Sequence, residues 1–173
     1  MFNKYLLLAC RVYIYTNKEL TMQLQMTTDY AIRILTYLAV KKAVIASSEL
    51  SEQLKIPQKY IYNIGRKLKT EKYVATVAGP FGGYVLIREP EEVSLYDIIL
   101  TFEGTVKINR CLEGNGFCSR DGISFCAVHN FYTELQSTIE EALKAQTLSS
   151  LFAYEKERGG VRNAIQCDET KHV

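Results

Sequence analysis

The sequence predicts a mostly α-helical fold with one small β-hairpin, on three observations. Apolar residues recur at helical spacing in three segments between residues 27 and 71. Two β-rich runs, YVATVA and YVLIR, follow at once and are joined by the glycine-rich GPFGGY. A second long stretch of helical spacing begins at Val128.

Composition sets the outer limits. The chain has 173 residues, 47% of them hydrophobic and 23% charged, which is enough for one or two small cored units and too charged for a membrane protein. The apolar run within residues 1–21 is interrupted by Arg11, is too short to span a bilayer, and is followed by no small-residue cleavage pattern. Residues 1–21 therefore read as an upstream extension outside the fold, with translation expected to begin at Met22.

In the first helix Ala31, Ile34, Leu35, Leu38 and Ala39 share a face, with Thr27 or Thr28 placed as its cap and Asp29 at the positive end of its dipole. Ser47 opens a short second helix, SSELSEQLK, in which Leu50 and Leu54 align. Pro57 suits the first turn of a third, running to about Glu71. There, spacing puts Tyr60, Ile61, Ile64 and Leu68 on one side and Lys59, Tyr62, Asn63, Arg66 and Thr70 on the other. The polar side offers donors for phosphates and base edges, Arg66 suiting guanine and Asn63 adenine, although an ordinary solvated face would hold the same residues.

The hairpin comes next. Gly79, Gly82 and Gly83 permit positive φ and Pro80 fixes its own, so a tight tip is expected. After two helices joined by a short turn, such a hairpin makes residues 22–90 a winged helix-turn-helix, whose second helix enters the major groove while the wing follows the backbone. A nucleotide phosphate loop would need a helix directly after the glycines, and a strand follows here. Charge agrees: residues 22–90 hold ten Lys/Arg against five Asp/Glu, and residues 91–158 hold six against eleven, a basic part fit for a polyanion and an acidic part with another task.

The acidic part, residues 91–155, opens on Ser94 and Asp97 at capping-box spacing before Leu95, Ile98, Ile99 and Phe102, and Gly104 should end that helix. From Val128 a seam of Val128, Tyr132, Leu135, Ile139 and Ala142 suits helix-to-helix pairing. Between these helices lies CLEGNGFCSRDGISFCAVH, long and weakly patterned enough to signal function. Cys111, Cys118 and Cys126 are spaced more widely than the paired CxxC of structural zinc modules, and Cys126 and His129, three apart, can point the same way. An odd total of five cysteines argues against a secreted disulfide framework. Cys10, Cys167 and His172 stand in unpatterned segments, and residues 156–173 read as a flexible tail. No nucleophile, base and oxyanion arrangement suggests an enzyme.

MQLQMTTDYAIRILTYLAV, IPQKYIYNIGRKLKTEKYVATVAGPFGGYVL, SLYDIILTFEG and the three-cysteine loop, taken in that order, resemble the Rrf family of bacterial winged-helix transcription regulators across residues 22 to about 155. The resemblance implies a cytoplasmic homodimer held by the last helix. It implies a double-stranded DNA operator contacted through Gln58, Lys59, Tyr62, Asn63, Arg66 and the wing at Gly82 and Gly83. It also implies an iron–sulfur cluster, 2Fe-2S or 4Fe-4S, on Cys111, Cys118 and Cys126. For the fourth ligand, His129 matches the position used by the family's iron–sulfur cluster regulator. Asp29 matches the position at which an aspartate of the partner subunit serves in its nitrite-sensitive repressor. Two departures stand out: Ala78 and Phe81 replace the arginine and glycine that usually flank the wing's Gly-Pro, and the cysteine gaps exceed the family's usual five and five. A cluster-free thiol or zinc sensor therefore remains the alternative.

Overall fold

The computed structural model describes residues 23–151 apart from 121, together with 153. The expected extension, the tail, and with them Cys10, Cys167 and His172 lie outside the described residues.

Helix α1 spans Met26–Lys41, α2 Ser47–Leu54 and α3 Gln58–Thr70. All five residues expected on the core face of α1 are at most 2% exposed. Its start differs from the expectation. The N-cap is Gln25, which makes no side-chain cap bond, while the hydroxyl of Thr28 donates to Glu103 Oε1 at 2.5 Å. On α3, Ile61, Ile64 and Leu68 are buried as the spacing predicts. Tyr60 is not; it is 40% exposed and meets Tyr30 edge-on, ring centroids 5.6 Å apart. A ring at the margin of a narrow apolar stripe can pack sideways without entering the core.

Strands β1, Val74–Val77, and β2, Gly83–Leu86, pair antiparallel, with Val74 opposite Leu86 and Val77 opposite Gly83. A third rung comes from outside the hairpin, where Ile45 and Tyr84 exchange both backbone bonds at 2.9 Å. Of the three wing glycines only Gly79 has a positive φ, 108°. Gly82 and Gly83 are needed for another reason. A Cβ on Gly82 would stand 2.3 Å from the Val77 carbonyl oxygen, and one on Gly83 would stand 2.0 Å from that of Ile45. The ring of Tyr84 in turn lies where a Cβ on Gly65 would be, 2.5 Å away, so the wing is seated on α3.

Helix α4, Leu95–Glu103, starts with the expected capping box and ends at Gly104 in the left-handed region, φ 80°. Two short 3-10 turns follow, Arg110–Leu112 and Ile123–Phe125, and then α5, Ala127–Ala145. The core does not stop at residue 90: Val93, Ile98 and Leu148 belong to one cluster with the apolar faces of α1, α2 and α3. The chain returns after α5 to meet the start of α4, Leu95 N bonding Gln146 O at 2.8 Å and Leu148 N bonding Val93 O at 2.9 Å. Among the described residues no helix is long and apolar enough to cross a membrane.

Because its Cβ would collide with backbone rather than with a movable side chain, Gly83→Ala is expected to lower stability by roughly 2–4 kcal/mol in a thermal or urea melt. Gly114→Ala, where nothing lies within 4 Å, should stay within about 0.5 kcal/mol of the parent.

Candidate DNA-reading face and cysteine pocket

The exposed side of α3 presents Gln58, Lys59, Tyr62, Asn63, Arg66 and Thr70, all open to solvent. These side chains are not independent. Gln58 Nε2 donates to the Tyr62 hydroxyl at 3.1 Å, and Ser47, at the start of α2, donates to the same hydroxyl at 3.3 Å. Arg66 Nη2 bonds Asn63 Oδ1 at 3.3 Å. The face is thus partly ordered in advance, which lowers the entropy lost when it meets a partner. The wing is coupled to it through Lys69, whose Nζ donates to Thr76 Oγ1 at 2.9 Å. Gly82 and Gly83 shape this surface by letting backbone approach backbone.

The cysteine loop closes over the first half of α5. Cys111, Cys118, Cys126 and His129 line one cavity of about 450 Å³ together with Tyr132 and Phe117. Cys126 is the N-cap of α5, its sulfur accepting from His129 N at 3.4 Å, so the positive end of the helix faces that sulfur. His129 Nδ1 is buried and has no hydrogen-bond partner. An imidazole nitrogen in that state costs free energy unless something in the cavity engages it. Asp29 stands elsewhere, on the first turn of α1, in an ion pair with Arg33 at 2.6 Å.

Among the described residues no three His, Cys, Asp or Glu side chains converge closely enough to hold a single metal ion. Cysteine and histidine are the side chains that hold iron–sulfur clusters and zinc alike. Three soft sulfurs and an imidazole whose Nδ1 has no partner among the described residues are of the donor types an iron–sulfur cluster takes.

A support the sequence did not reveal holds the loop in place. Gln136, 4% exposed within α5, receives the Ile108 amide on its Oε1 at 2.9 Å and donates to the Val106 carbonyl at 3.0 Å. It pairs with the strap at residues 105–109 as a neighbouring strand would. Lys107 adds an ion pair to Glu140 at 2.6 Å, and Lys144 reaches the other oxygen at 3.2 Å. The Lys107 ammonium, more than the bonds from Lys144 and Gln136, holds the Glu140 carboxyl down at about 2 against the opposing effect of burial. Asn109 Oδ1 then accepts from Cys111 N at 3.3 Å, and the Arg110 guanidinium lies 4.8 Å from the centre of the Phe117 ring. A glutamine inside an otherwise apolar seam, four residues before a glutamate, was the available signal.

The family profile described as "Rrf2: Iron-dependent Transcriptional regulator" matches residues 24–154. Over 131 residues, 75% of this chain and 91% of the relative, the sequence is 31% identical to an HTH-type transcriptional regulator of Aquifex aeolicus (strain VF5). It is 28% identical over 137 residues to the HTH-type transcriptional regulator IscR of Sodalis glossinidius (strain morsitans), covering 78% and 81% of the two chains. The fold is similar to that of CymR, described as the global cysteine regulator of B. subtilis, with TM-score 0.66 at 20% identity over 76% of this chain and 97% of that one. T. potens IscR gives a TM-score of 0.58 at 20% identity, over 87% and 93%.

The pairing of Glu140 has a pH signature. Its folded pKa lies below the unfolded carboxylate value of 4.5, so its stabilisation is complete above that value and is lost as pH falls from 4.5 towards 2. In acid titrations of stability, Glu140→Gln is expected to flatten that limb and to lower stability near pH 7 by about 1–3 kcal/mol. An unchanged limb would mean that the ion pair does not fasten the strap.

Proposed function

This chain belongs to the Rrf2 family of transcription regulators, and from that premise we propose that it is a cytoplasmic homodimer whose affinity for a double-stranded operator is set by an iron–sulfur cluster at the cysteine pocket. Members of such a family act by binding DNA rather than by catalysis. One observation carries the finer reading: Cys111, Cys118, Cys126 and His129, whose Nδ1 is buried without a partner among the described residues, line a single cavity.

In this reading His129 serves as the fourth ligand, since it lines the same cavity as the three cysteines, and Asp29 would have to arrive from the partner subunit. Bound there, the cluster supplies a redox-active centre that is sensitive to oxidants and nitric oxide. The chain's own residues do the coupling. With Cys111 and Cys126 as ligands, the two ends of the loop would be tied at the start of α5. Gln136 and the Lys107–Glu140 pair fix the strap on that helix. Glu103, just before the strap, bonds Thr28 and the Gln25 amide at the start of α1, and α1 packs against α3. Dimerisation through α5 is supported by its exposure. In 19 residues only Gln136 is buried, while Val128 and Phe131 are 54% and 59% exposed, a large apolar surface for one soluble helix to leave open.

Protein reconstituted anaerobically with iron and sulfide is expected to show cluster absorption bands. Each of Cys111→Ala, Cys118→Ala and Cys126→Ala should lose them while remaining a folded dimer. His129→Ala should lose or shift them, and Asp29→Ala should not; the reverse pattern would make Asp29 the ligand. A wild type that holds no cluster under these conditions would leave a thiol or zinc sensor as the better account. On a selected operator, Arg66→Ala or Asn63→Ala is expected to cost about 1–3 kcal/mol and to relax preference at one base position. Lys59→Ala should instead weaken all sequences alike and reduce the salt slope.

A further inference from the structure

The wing tip departs from its surroundings. Phe81 is 93% exposed, the most open of the large apolar side chains among the described residues, and it follows Pro80. The turn beneath it is closed by a bond from Gly82 N to Gly79 O at 3.0 Å. Neither Gly82 nor Gly83 has room for a side chain, and Tyr84, which follows them, is bonded to Ile45 on one side and packed over Gly65 on the other. The ring of Phe81 is therefore carried outward on a short, braced stem. Its neighbourhood is cationic: between residues 55 and 88 the chain has seven Lys/Arg, at 55, 59, 66, 67, 69, 72 and 88, against a single acid, Glu71.

We infer that Phe81, with Pro80 behind it, is a wedge that enters the minor groove beside the site read by α3 and partly unstacks one base step. This rests on the operator-binding reading above and adds a residue and a mode of recognition to it. Three features favour a DNA groove as the occupant. The ring projects from the hairpin that directly follows the reading helix and is tied to it through Lys69 and Thr76. The surrounding charge suits a polyanion. Phe and Pro are side-chain types that proteins insert between base steps, kinking the duplex towards the major groove. An apolar wedge reads deformability rather than a hydrogen-bond pattern, so it favours flexible pyrimidine–purine steps such as TA and CA at a position that α3 never touches.

The test selects binding sites from random duplex DNA with the full-length wild type. It then compares wild type, Phe81→Ala, Phe81→Leu and Arg66→Ala on the selected site, with bend angle read by end-to-end energy transfer and unstacking by 2-aminopurine fluorescence. The wild type is expected to bend the site and brighten the probe at one pyrimidine–purine step. Phe81→Ala should lose both signals and about tenfold in affinity, keeping its salt slope and the bases read by α3. Phe81→Leu should retain most of the bend. A straight wild-type complex, or an equal bend in Phe81→Ala, overturns the inference while the selected site still supports the operator reading. A uniform loss with a shallower salt slope makes the tip a phosphate contact and overturns it too. Phe81-dependent binding to phosphatidylserine vesicles without any DNA bend would assign the tip to lipid. If the wild type selects no sequence at all, the operator reading falls and this inference falls with it.

Discussion

A buried hydroxyl sits at the joint of this molecule. Thr28 is fully enclosed at the start of α1, and a hydroxyl removed from water needs a partner. It finds one in Glu103, the last residue of α4, which also receives the Gln25 amide. The first turn of α1 and the end of α4 are consequently fixed to each other. On one side of that joint α1 organises the core against which α2 and α3 pack. On the other, Gly104 turns the chain in the left-handed region and sends it into the strap that roofs the cysteine pocket. Reading head and cysteine loop share this attachment, so a change at either end has a short covalent and hydrogen-bonded route to the other.

The strap is the second half of the connection. Without Gln136 its Val106 carbonyl and Ile108 amide would lack the partner they have, and the cavity would lose a wall. Glutamine does here what a strand edge does elsewhere, offering one acceptor and one donor to a passing backbone. The Glu140 cluster beside it replaces apolar packing with charge.

Much of this was legible from residue order alone. The core face of α1, the Ser94–Asp97 box, the stop at Gly104 and the hairpin all follow from local periodicity, capping and turn chemistry, and the structure shows each. Long-range pairings were not legible. The Ile45 rung that braces the wing, the Glu103 bond to Thr28 and the Gln136 clamp join residues that no spacing rule relates. Helix ends were also obscured, because Lys42, Lys55 and Lys72 occupy the left-handed region where glycine or asparagine is the usual sign. That Cys111, Cys118, Cys126 and His129 line one cavity is of the same kind, since only the folded loop brings them to it. Gly82 and Gly83 had the right identity for a reason the sequence could not supply, the nearness of carbonyl oxygens rather than a positive φ.

The account stands on one claim, that the state of the cysteine pocket sets the affinity of the reading face. The direct measurement is the affinity of full-length wild-type protein for one selected operator at fixed salt, first loaded anaerobically with iron and sulfide and then stripped of metal with its thiols reduced. The two states are expected to differ by roughly 5–150-fold, the usual span of coupling between sites. Equal affinities, with both states shown to be folded dimers, would contradict the account.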